Sequence, residues 1–169
     1  MIISYQGWRT LFVTALGIFA GTAFCMKWME GDFRYNGELF SIIGLEISYS
    51  PEKIVSIFRG IDPSVKQVLG YHLYFDYAFM AGVYPGIAAL CMMGRVKTES
   101  RWLKNILLGL AFLQLAAWVC DILENGYLLH WLKDPSQVGT LGTYHMIVIL
   151  KWSLALTGAL AGIPAALRK

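Results

Sequence analysis

The sequence predicts an all-α fold: a polytopic membrane four-helix bundle with a short extracytoplasmic amphipathic helix between spans one and two. Three observations lead there. Of 169 residues, 57% are hydrophobic and only 15% charged, and the mean hydropathy of +0.54 exceeds what a soluble domain carries. Four apolar runs each reach the ~20 residues that a bilayer-spanning helix needs. Three of those runs carry ionisable residues where lipid tolerates few: Asp76, then Asp121 and Glu124, then Lys151. Four spans leave little chain for anything else, so residues 1–169 read as a single integral membrane domain.

The first span covers about 10–28. Arg9 ahead of an apolar run, with small residues near Ala23, has the outline of a signal peptide, but the segment is read as a retained membrane helix. An outer loop, 29–70, follows. Within it Leu45, Ile47 and Tyr49 alternate with Glu46, Ser48 and Ser50, which predicts an extended segment. Ser50-Pro51-Glu52 is a capped helix start, Ile54, Ile57, Phe58 and Ile61 follow at helical spacing, and Gly60 marks the end. Such a helix would lie on the outer membrane face or across the mouth of the bundle.

Asp62-Pro63 begins a longer helix whose end forms the second span, about 71–93. The third span, about 102–131, has Ser100 as its cap, and the fourth, about 143–167, follows the turn from Gly139 to Gly142. Glycines four apart occur in three spans, at Gly17 and Gly21, Gly82 and Gly86, and Gly158 and Gly162. Small residues at that spacing let helix backbones approach closely, which predicts a compact bundle closed at the cytoplasmic end.

Charge sets the expected orientation. The second loop carries Arg95, Lys97, Arg101 and Lys104 against Glu99, a surplus of three positive charges, and the tail adds Arg168 and Lys169. Counted with Lys27 at the end of the first span, the long first loop has five basic residues against six acids. Positive-inside bias then places both termini in the cytoplasm, with Trp8 and Trp102 at the inner edge and Trp28, Tyr71 and Trp131 at the outer. The net charge of +3 comes without a basic, aromatic-interleaved stripe, so nucleic acid is excluded as a partner.

Depth brings the polar residues together. At about 1.5 Å per residue, Lys151 lies about 12 Å in from Thr143, Asp121 and Glu124 about 15 and 10 Å from Trp131, and Asp76 about 8 Å from Tyr71. Asp121, Glu124 and Asn125 share one helix face at i, i+3 and i+4. The candidate site is therefore Asp76, Asp121, Glu124, Asn125 and Lys151, in the outer half of the bilayer. Three acids against one lysine make a surplus that calls for protonation or a bound cation. The structural alternative is a clamp in which Lys151 bridges helices and the remaining acids bond to Asn125, Tyr84 or Tyr127.

Other chemistry has little footing. Cys25, Cys91 and Cys120 form no C-x-x-C and read as packing residues. His72, His130 and His145 fall near outer span ends, and His72 with His145 would be the pair to hold a metal or haem, although no ligand motif accompanies them. No hydrolase elbow or phosphate-binding loop is present, so the sequence names no catalytic residue and no cofactor.

The run Leu73-Tyr74-Phe75-Asp76-Tyr77-Ala78-Phe79, then Cys120-Asp121-Ile122-Leu123-Glu124-Asn125, then Lys151, together with the Ser50-Pro51-Glu52-Lys53 helix start, resembles a family of small bacterial four-span membrane proteins. D-x-x-E-N in the third span is the most specific element. The resemblance implies the architecture, the polar positions and a bacterial inner membrane, and no activity. The functional expectation is a non-enzymatic protein whose buried site binds a small ligand, lipid headgroup or ion, or which is a subunit of a membrane complex. The alternative is an enzyme on a lipid-soluble substrate with Asp121 or Glu124 as acid/base.

Overall fold

The computed structural model describes residues 4–48 and 50–168. Four long helices dominate: α1 (Tyr5–Met29), α4 (Pro63–Lys97), α5 (Arg101–Lys133) and α6 (Gly142–Leu167), with α2 (Ile42–Glu46) and α3 (Pro51–Gly60) between the first two. All four long helices have the length and apolarity to cross a membrane. Their starts follow local chemistry. Ser4, Ser50 and Ser100 each accept a hydrogen bond from a backbone N–H in the first turn of α1, α3 and α5, and Pro63 opens α4 at a position that has no partner to lose.

The segment from 30 to 62 is a folded cap. A 3₁₀ turn, Glu30–Asp32, leads into a two-residue hairpin, β1 (Arg34–Tyr35) and β2 (Glu38–Leu39). Asn36 and Gly37 at its tip have φ of 52° and 82°, the left-handed pair that a tight hairpin turn requires. Of the extended segment expected here, Leu45 and Glu46 lie instead in helix α2, Ile47 is its C-cap, and Tyr49 lies outside the described residues. Ser41 caps α2 by accepting from Gly44 N, and helical spacing lets Ile42 and Leu45 both enter the core. Burial of two side chains three apart overrides the alternating pattern. Helix α3 buries Ile54, Ile57 and Phe58, as its periodicity predicts.

The largest apolar core lies here. Phe33, Ile42, Leu45, Ile54, Ile57 and Phe58 of the cap meet Leu69 and Leu73 of α4, Leu128 and Trp131 of α5, and Tyr144 and Val148 of α6. Away from the cap, the bundle relies on small residues. Gly162 lies against Cys91, Gly94 against Ala165, and Gly158 against Gln114 and Ile87, so α4, α5 and α6 pack closely. Lys97 donates to the carbonyls of Ala166 and Arg168, at 2.7 Å each, and ties off the ends of α4 and α6.

Helix α1 stands apart from this arrangement. It packs along α4, where a Cβ on Gly82 would sit 2.5 Å from Phe19 N and 2.8 Å from Ala15 O. Gly17 and Gly21 have open space around them, so the expected role of that pair as a packing surface is not met within the chain. The end expected to be closed is closed between α4 and α6, whereas a groove persists between α1 and α6.

Candidate functional site

Lys151 organises the polar centre. It points from α6 into the bundle and is 6% exposed. Its Nζ lies 2.7 Å from Glu124 Oε2, 3.1 Å from Asp121 Oδ1 and 3.4 Å from Glu46 Oε2. The helical i, i+3, i+4 spacing of Asp121, Glu124 and Asn125 turns all three inward, and all three are buried. The expected pairing of Lys151 with Asp121 and Glu124 is therefore present. Asp76 joins the group differently, through Asn125 Nδ2, which donates to its Oδ2 at 2.7 Å and to Leu73 O at 3.3 Å. Tyr84 donates to Asp121 Oδ2 at 2.7 Å. Tyr127, the other hydroxyl considered, packs its ring on Trp131 and Tyr144.

Glu46 is a charged member of the cluster that sequence reasoning does not find. The alternating pattern puts it on the polar side of an extended segment, yet α2 delivers it to Lys151, buried. A signal existed: it is the one charge inside the apolar stretch from Ser41 to Ile47. With it the cluster has four acids to one lysine, a formal surplus of three negative charges. Glu124 is fully buried, and its Oε1 has no hydrogen-bond partner among the described residues. Gln114 was also missed. It donates from Nε2 to Leu154 O and Leu110 O, at 3.1 and 3.2 Å, and links α5 to α6.

The cluster opens on a cavity of about 550 Å³. One wall is α1, with Phe19, Ala23 and Met26. The facing wall is α6, with Trp152, Ala155 and Leu156. Asp76, Tyr84, Asp121 and Asn125 lie behind, and Ile42, Ile43 and Glu46 of α2 form the roof. A second cavity of about 640 Å³ continues along α4 toward Met93 and Leu167. The two share Phe19, Val83, Ile87 and Ala159 as lining residues, so together they form one groove, polar at the cap end and apolar beyond.

The histidines do not converge. His72 is 1% exposed, set edge-on to Phe33 and part of the wall of the first cavity. His145 Nε2 lies 2.8 Å from Ser48 O, and His145 lines a separate cavity beside Pro51. The pair considered for metal or haem thus faces different spaces, and among the described residues no three His, Cys, Asp or Glu side chains are arranged to hold a metal ion.

No family model, curated protein or solved structure matches the chain.

Proposed function

We propose that this is a non-enzymatic integral membrane protein that binds an amphiphile, with the polar group of the ligand at the Glu46, Asp76, Asp121 and Lys151 end and its apolar chain in the groove between α1 and α6. One observation carries this reading: the buried charges and the apolar groove belong to the same cavity. A pure structural clamp has no need to leave Asp76 and Asp121 on a cavity wall, since a charge in a low-dielectric surround is stabilised by partners on every side. The acid/base alternative is less well supported, because Asp121 is already held by Tyr84 and Lys151. Loop charge supports a topology with both termini cytoplasmic and the cap, including α3, on the outer face of a bacterial inner membrane.

Ala159 tests the reading, because it lines both cavities at their junction. Protein extracted gently and examined by native mass spectrometry should retain a lipid-sized adduct, and Ala159→Trp should lose it. Retention of the same adduct by Ala159→Trp, with the fold intact by circular dichroism, would refute the proposal.

A further inference from the structure

The chemistry of the ligand's polar group follows from the charges that face the cavity. Four carboxylates line it: Glu46, Asp76 and Asp121 within, and Glu30 at the rim. Lys151 lines it too, but is engaged by Glu46, Asp121 and Glu124. Lys27 and Glu30 at the rim neutralise each other at 2.6 Å. Asp76 accepts only from the neutral amide of Asn125, and among the described residues no basic group lies within ion-pair distance of it. An anionic headgroup placed here would meet like charge and be disfavoured.

A second observation, independent of the acids, also points to a ligand: the cavity that holds them continues without a break into the apolar groove along α4. A group that donates hydrogen bonds and carries positive charge suits Asp76. A chelated metal does not, since among the described residues no three donors are suitably placed.

The apolar part sets the length. From Asp76 to Met93 the groove follows α4 for seventeen residues, about 26 Å at the helical rise, most of the ~30 Å hydrocarbon core of a bilayer. Resting on the amphiphile reading above, we propose that the ligand is a long-chain amine, its ammonium group against Asp76 and its hydrocarbon chain along α4 between α1 and α6.

The test uses the full chain in phosphatidylcholine nanodiscs and a photoreactive hexadecylamine. Labelling is competed with hexadecylamine, hexadecanol and hexadecanoate, which differ only in the headgroup. The amine should compete at least about tenfold better than the alcohol, with the carboxylate weakest. Asp76→Asn retains an acceptor for Asn125 and should abolish the preference for the amine without changing competition by the alcohol. Ala159→Trp should weaken competition by all three. Equal competition by the three probes, with Ala159→Trp still blocking them, would overturn the cationic headgroup and leave amphiphile binding standing. Unsaturable labelling, or labelling indifferent to Ala159→Trp, would overturn both. If Asp76→Asn does not fold, the headgroup order in the unmodified protein decides alone.

Discussion

Helices α1 and α6 flank the same cavity and are held in very different ways. Helix α6 is fixed on three sides: by Lys151 to acids of α2 and α5, by Gln114 of α5, and by the close approaches of Gly162 to Cys91 and Ala165 to Gly94. Helix α1 packs along α4, with Gly82 as the tightest approach, and sends no side chain into the ion cluster. The cluster thus welds α2, α4, α5 and α6 into a unit, and α1 is a wall laid against it. A groove bounded by one fixed and one lightly held helix can admit a long molecule from the side without disturbing the charges.

The largest effect should come from the fixed side. Lys151→Met leaves three buried acids, Glu46, Asp121 and Glu124, with no cation, and breaking a buried pair in this way costs about 3–5 kcal/mol. Lys133→Met, at the exposed end of α5, should cost almost nothing. Thermal unfolding in detergent compares the two, and equal melting temperatures would mean that the ions are not what holds α6. Glu46→Gln should be much milder, within about 1 kcal/mol, because Lys151 keeps two carboxylates and the surplus of acids falls. A loss as large as that of Lys151→Met would show that α2 is integral to the weld.

Gly82→Leu addresses the lightly held side. Its side chain would collide with the backbone of α1 at Ala15 and Phe19, and overpacking of this kind costs about 1–3 kcal/mol. Hydrogen exchange should rise along α1 and stay low in α4, α5 and α6. Uniform loss of protection would instead mean that all four helices unfold as one unit. Gly21→Ala, in open space, should leave exchange unchanged.

These contrasts were only partly legible in the sequence. Local signals placed the four long helices and α3, because caps such as Ser50 and Ser100 and apolar periodicity act within a few residues. The face carrying Asp121, Glu124 and Asn125 was legible for the same reason, as was Lys151 at matching depth. Glu46 was not, because five-residue α2 owes its helical form to burial of Ile42 and Leu45 under partners far along the chain. Glycine spacing also misled at Gly17 and Gly21, since spacing marks a surface that can pack closely and does not say that a helix is there to meet it.

A local effect concerns the cap. Ser50 Oγ accepts from Lys53 N and donates to Glu52 Oε2 at 2.9 Å. The Glu52 carboxyl is held below its ordinary range by the backbone N–H of its own residue first and by Ser50 second. A depressed folded-state value contributes stability above the ordinary carboxyl range and loses it as pH falls through the lowered value. Ser50→Ala should cost about 1 kcal/mol through the lost cap and flatten that acid-side decline. An unchanged acid titration of α3 in Ser50→Ala would show that the serine does not tune Glu52.

The most direct test of a polar-headed groove between a fixed and a lightly held helix is a structure determined in a lipid nanodisc. The expected result is elongated non-protein density running along α4 from Asp76 past Ile87, with α1 on one side and α6 on the other. A bundle in which α1 has closed onto α6, leaving Asp76 and Lys151 sealed among protein atoms with no such density, would contradict the account.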